Sequence, residues 1–146
     1  MAAKANKRDF SINTIIGPRS EVRGDIDASG FTRIDGSLRG DLNVSGRIVI
    51  GEDARLKSSI SGTFITIGGV VYGNVIASER LVILSTGLVL GDIITRRIQV
   101  DEGCLVHGKI IVCKDEEKWS RSIAEYQDAN AVKKVLHRTE IAREAL

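Results

Sequence analysis

The sequence predicts an all-β fold: a parallel β-solenoid of about six coils, preceded by a short polar arm and followed by a charged tail. Three observations predict it. A five-residue pattern recurs as Val22-Arg23-Gly24-Asp25-Ile26, Leu38-Arg39-Gly40-Asp41-Leu42, Val71-Tyr72-Gly73-Asn74-Val75, Val89-Leu90-Gly91-Asp92-Ile93 and Val106-His107-Gly108-Lys109-Ile110. A degenerate copy, Leu56-Lys57-Ser58-Ser59-Ile60, fills the gap, so successive copies start 16, 18, 15, 18 and 17 residues apart. Self-similarity at a short period marks stacked units that cannot bury their apolar faces alone. Second, all 15 glycines lie between Gly17 and Gly108, where Ile, Val and Leu dominate. Third, apolar residues alternate with polar ones inside each copy, which is the period of a half-buried strand.

Residues 1–13 are polar, aperiodic and read as a disordered arm. Lys7 and Arg8 stand close to Phe10 and Ile12. These four are the place where contact with an anionic membrane surface is legible. Their apolar content is small, so such contact is expected to be weak and the arm reads first as solvated.

Residues 14–113 are the solenoid. Each copy of the pattern has a second apolar anchor ahead of it: Ile16, Ile34, Ile50, Ile67, Ile83 and Val100. Two residues before each anchor lies another inward position: Thr14, Thr32, Ile48, Ile65, Leu81 and Ile98. Stacking in register turns Val22, Leu38, Leu56, Val71, Val89 and Val106 into one continuous internal column. Burying each Val, Leu or Ile contributes about 1.5–3 kcal/mol. The inward glycines mark places where the backbone turns or approaches a wall. At ~4.8 Å per coil the stack would be about 29 Å long.

Residues 114–146 contain no Gly or Pro. Trp119, Ile123 and Tyr126 fall at i, i+4 and i+7, the spacing of one helical face. A helix is expected from about 116 to 143, and Ser122 and Glu125 have capping-box spacing. This tail could dock on a cell-envelope or cytoskeletal partner through Trp119, Ile123 and Tyr126, or stay mobile.

Composition excludes several functions. Arg and Lys number 21 against 19 acidic residues, and the excess sits in residues 1–13. No clustered basic footprint for nucleic acid is present. No apolar run of 18 residues could span a membrane, and no leader pattern is seen. Cys104 and Cys113 are therefore expected to be free thiols in a reducing cytoplasm. No metal, cofactor or nucleotide site is expected, since no ligand spacing or Gly-rich phosphate loop occurs. The two Arg-Gly-Asp triplets are explained as outward–inward–outward strand positions. His107 invites comparison with left-handed β-helix acyltransferases, but those need a strict six-residue step that is missing here. A capped β-helix serving as a binding module or such an enzyme is the alternative reading.

A solenoid has two open ends, each with unpaired backbone groups. At the N-terminal end these are Thr14, Ile15, Ile16, Val22 and Ile26; at the C-terminal end, Leu105, Val106, Ile110, Ile111 and Val112. Edge-to-edge pairing of copies is the physical default.

Thr14-Ile15-Ile16-Gly17 at the start, with repeated apolar-x-Gly-Asp-apolar motifs over about 100 residues and polar tails on either side, resembles the bactofilin family. The resemblance covers residues 14–113. It implies a right-handed β-helix that is not an enzyme and that polymerises without nucleotide into cytoskeletal filaments. Like ends would meet, giving filaments without polarity that organise cell shape, envelope or appendages. It implies a cytoplasmic location, at the inner face of the membrane where the arm binds. Many members carry a Phe in the last coil; that position falls on Val106 here.

Overall fold

The computed structural model describes residues 12–125 of the 146-residue chain. These form a parallel β-solenoid of six coils and one helix. The first coil holds β1 (Thr14–Ile16), β2 (Glu21–Arg23) and the start of β3 (Ile26–Ile34), which bends and opens the second coil. The chain continues through β4 (Ser37–Arg39), β5 (Leu42–Ile50), β6 (Arg55–Lys57), β7 (Ile60–Ile67), β8 (Val70–Tyr72) and β9 (Val75–Ile83). Then follow β10 (Leu88–Leu90), β11 (Ile93–Thr95), β12 (Ile98–Val100), β13 (Leu105–His107) and β14 (Ile110–Val112). Every pairing is parallel, with β2, β4, β6, β8, β10 and β13 forming one sheet. The other strands form a second sheet that covers two sides of each coil, because β3, β5, β7 and β9 bend midway.

The register matches the repeat. Val22 pairs with Leu38, Leu38 with Leu56, Leu56 with Val71, Val71 with Val89 and Val89 with Val106. The second anchors stack from Ile16 through Ile34, Ile50, Ile67 and Ile83 to Val100. A third column runs Ile26, Leu42, Ile60, Val75, Ile93, Ile110. In the middle coils these residues are fully buried and make one continuous core. A three-residue strand has too little surface to bury by itself. Each is stabilised by the coils above and below it.

The unequal repeat steps have two sources. The turn from anchor strand to motif strand is four residues long at 17–20, 51–54, 84–87 and 101–104, but two residues long at 35–36 and 68–69. The bend between the other two sides loses one residue where Ile60 leads to Ile65 and where Ile93 leads to Ile98. Each long turn closes with an N–H to C=O bond across four residues, as from Ser20 to Gly17 (3.2 Å) and from Gly87 to Leu84 (2.8 Å). In the first, Pro18 precedes Arg19, whose φ is 68°. That is the order a type II turn requires.

The motif glycines sit at a corner between strands, where the backbone turns and approaches the neighbouring coil, as their inward positions in the sequence led one to expect. Gly91 has φ 153°, and a Cβ on it would lie 2.0 Å from the Gly73 carbonyl oxygen of the preceding coil. Both conditions require glycine. The residue after the corner explains the rest of the motif. The Asp41 N–H donates to Asp25 Oδ1 (2.8 Å), the Asp92 N–H to Asn74 Oδ1 (3.1 Å) and the Lys109 N–H to Asp92 Oδ1 (3.1 Å). Asp and Asn here satisfy the corner peptide of the next coil.

Cys113 begins a second compact unit. Its helix, α1 (116–125), starts where Asp115 caps it: the Glu117 N–H donates to Asp115 Oδ1 (3.1 Å), with Glu116 and Glu117 in the first turn. The start is the one expected from sequence, and the capping-box spacing of Ser122 and Glu125 is not used as a cap. Ser122 lies inside the helix, with its Oγ 3.4 Å from Cys113 Sγ. Asp115 wins because its carboxylate reaches an orphan N–H at the positive end of the helix.

Candidate self-association interfaces

Among the described residues the core columns do not end in polar caps. At the C-terminal end they terminate in Val100, Ile110 and Val112, which face inward yet are 48%, 43% and 44% exposed. Their partners one coil back, Ile83, Ile93 and Thr95, are fully buried. Val106, Ile98 and Cys104 are partly covered by the core. At the N-terminal end Thr14, Val22 and Ile26 are half-buried and Ile16 is buried. β1 and β2 are the outermost strands of their sheets at this end, as β14 and β13 are at the other. Each outermost strand presents a row of backbone N–H and C=O groups with no further strand among the described residues, which is a template for another copy.

The structure sorts the interface residues expected from sequence into two sets. Thr14, Ile16, Val22, Ile26, Val106, Ile110 and Val112 continue the inward columns. Ile15, Leu105 and Ile111 alternate with them and lie on outer faces. Ile15 pairs with Arg33, Leu105 with Leu88 and Ile111 with Ile94. Val100 was not among the expected residues, although it ends the second-anchor column and the repeat already marked it. Lys7, Arg8, Phe10 and Tyr126 lie outside the described residues; Ile12 is exposed, and on α1 Ile123 is half-buried while Trp119 is buried, so Trp119 is not the open docking residue expected from sequence. His107 is exposed at the end of β13 beside Leu90. Cys104 and Cys113 are free thiols. Among the described residues no three His, Cys, Asp or Glu side chains gather where a metal could be held. No helix among them is long and apolar enough to cross a membrane.

One outer face carries a shallow groove lined by Arg47, Phe64, Thr66, Arg80, Val82 and Gln99. The Arg47 guanidinium lies 5.7 Å from the Phe64 ring centre, and Arg80 donates to Gln99 Oε1. Each arginine is thus engaged by a neighbour on the face.

Among the described residues, then, the protein is a parallel β-solenoid whose outermost strands have no further strand beside them and whose columns end in half-exposed apolar side chains at the last coil. The family model described as "Bactofilin: Polymer-forming cytoskeletal" matches residues 14–111. The chain belongs to the bactofilin family. Among curated relatives it is similar to bactofilin BacP of Myxococcus xanthus (strain DK1622), 24% identical over 98 residues. That match covers 67% of this chain and 41% of the relative, so the chain spans well under half of BacP. It is also similar to bactofilin BacO of the same organism, 26% identical over 67% of this chain and 78% of the relative. Among solved structures it resembles a cryo-EM reconstruction of Thermus thermophilus bactofilin double helical filaments. The identity there is 30% and the TM-score 0.66, covering 68% of this chain and 99% of that one.

Proposed function

We propose that this chain polymerises end to end, without nucleotide, into a cytoplasmic scaffold filament at the inner face of the cell membrane that organises cell shape, envelope or appendage machinery. The observation that carries the reading is the half-exposed set Val100, Ile110 and Val112 at the last coil, where fully buried columns run out. A second copy placed on that coil extends each column and pairs the edge strands. The same groups that join coil to coil would therefore join copy to copy. Membership in a polymer-forming cytoskeletal family and likeness to a filament-forming relative support it. The segment after Val112, with Ile123 half-buried on α1, is assigned to partner choice, and residues 1–13 to weak membrane contact.

The test is negative-stain electron microscopy of the purified protein in nucleotide-free buffer, beside Ile110→Arg and Val106→Arg. The parent is expected to form filaments. Both variants should keep their β-type circular dichroism and lose the filaments, because one cation buried in a dry junction without a partner costs several kcal/mol. Uniform small particles from the parent at high concentration would overturn the reading.

A further inference from the structure

The outward positions of the sheet formed by β2, β4, β6, β8, β10 and β13 divide sharply along the solenoid axis. In coils 1–3 they are Glu21 and Arg23, Ser37 and Arg39, Arg55 and Lys57. In coils 4–6 they are Val70 and Tyr72, Leu88 and Leu90, Leu105 and His107. One flat face therefore holds four cations against one carboxylate in its first half and five apolar or aromatic side chains in its second. The cations stand in solvent: the Arg23 and Arg39 side chains are 71% and 57% exposed, both reaching toward Glu21. The apolar half is not covered either, since Tyr72 and Leu105 are each 60% exposed and Val70, Leu88 and Leu90 are partly so. Strand alternation calls for polar residues at these positions, and the first three coils supply them. The apolar half is thus an exposed patch that the fold itself does not require.

We infer that this face lies on an anionic lipid bilayer, with Tyr72, Leu88, Leu90 and Leu105 entering the headgroup boundary and Arg23, Arg39, Arg55 and Lys57 meeting lipid phosphates. The charge pattern selects this occupant over a second copy. Full overlap of two such faces brings cation onto cation or cation onto apolar surface. Overlap of the apolar halves alone leaves the cations unmatched. A bilayer with anionic headgroups satisfies both halves at once, combining apolar burial with basic attraction, the two signals that stable surface binding needs. Arginine and lysine stems can lie along apolar surface while their heads reach phosphate. This site is separate from Lys7, Arg8, Phe10 and Ile12. It needs no polymer to exist, although a filament would repeat it and gain avidity.

The experiment is vesicle co-sedimentation of the full chain with phosphatidylcholine vesicles and with vesicles containing phosphatidylglycerol, each at low and high salt. Tyr72→Ser/Leu88→Ser/Leu90→Ser removes the apolar half and leaves Leu105 in place, because Leu105 belongs to the end coil. Serine already occupies the equivalent position at Ser37, so the face tolerates it. Arg39→Ser/Arg55→Ser/Lys57→Ser removes three charges. The parent should bind anionic vesicles, bind neutral ones far less, and release with salt. The apolar variant should lose at least tenfold in partitioning. The charge variant should lose about a hundredfold at low salt, at roughly fivefold per cation. Both should still form filaments as seen by microscopy. Unchanged anionic-vesicle binding in both variants would overturn the inference and assign any binding to the N-terminal arm. Equal binding to neutral vesicles would also overturn it. So would narrowed filaments with unchanged vesicle binding, which would make the face a contact between copies. Absence of parental filaments with normal vesicle binding would count against the polymer alone.

Discussion

Thr32 and Ile48 are neighbouring rungs of one internal column, and both are fully buried. Ile48 brings only carbon to the core. Thr32 brings an Oγ1 that has no hydrogen-bond partner among the described residues. A buried hydroxyl without a partner carries its desolvation cost uncompensated. Thr32→Val keeps the branched shape and removes the hydroxyl. It is expected to raise stability by about 1 kcal/mol, seen as a higher urea midpoint at unchanged slope. The opposite sign holds at Gly91. Its positive φ and the 2.0 Å approach to the Gly73 oxygen leave no room for a methyl group. Gly91→Ala is expected to cost at least about 2 kcal/mol, measured by the same denaturation. Ser58, which replaces glycine in that corner column, shows the alternative solution. It is buried with no hydrogen-bond partner for its Oγ among the described residues, and its φ is outside the left-handed region.

At the level of elements, what was legible in the sequence is what periodicity encodes. The three inward columns, anchored at Ile16, Val22 and Ile26, could be followed residue by residue, because a strand repeats every two residues and a coil returns each column to the same wall. The alternation of long and short turns was legible as unequal gaps between anchors. The corner was marked by its glycines and not by the period. Gly24 and its equivalents share parity with Val22 and Ile26, so a pattern of period two cannot tell a bend from a straight strand. The carboxylate ladder was hidden for the same reason. The Arg-Gly-Asp triplets read as plain outward strand positions, whereas Asp25, like Asp92, accepts a backbone N–H of the coil above. The start of α1 near 116 was legible, but its cap was not: Ser122 and Glu125 offered the capping-box spacing, and Asp115 caps the helix. At the end coils the inward members of the expected residue sets were legible as column ends, and the outward ones could not be told from them. Ile15 and Leu105 are as apolar as their neighbours, and composition alone does not say which way a terminal residue faces.

For the whole molecule, the question that follows from the proposed end-to-end association is which end meets which. Two arrangements close the edges. If like ends meet, the junction has a two-fold axis: the same patch serves both copies, and strands across it run antiparallel. If unlike ends meet, the parallel ladder continues without a break and the filament is polar. The two ends differ in what they offer. The last coil leaves Val100, Ile110 and Val112 half-exposed, whereas the first keeps Ile16 buried and Val22 and Ile26 only partly open. Blocking one end at a time separates the cases. Ile110→Arg disables the C-terminal coil, and Val22→Arg disables the N-terminal one. With like ends meeting, each variant alone should sediment as a dimer of the 15.8 kDa chain, joined by the end left intact, and mixing the two should produce no new species. With unlike ends meeting, each variant alone should sediment as a monomer, and only the mixture should form dimers. We expect the first pattern, with the dimer of Val22→Arg the tighter of the two because it buries the larger apolar area. Sedimentation velocity on the single variants and on their equimolar mixture reads this directly. Dimers appearing only in the mixture would show that the filament has polarity.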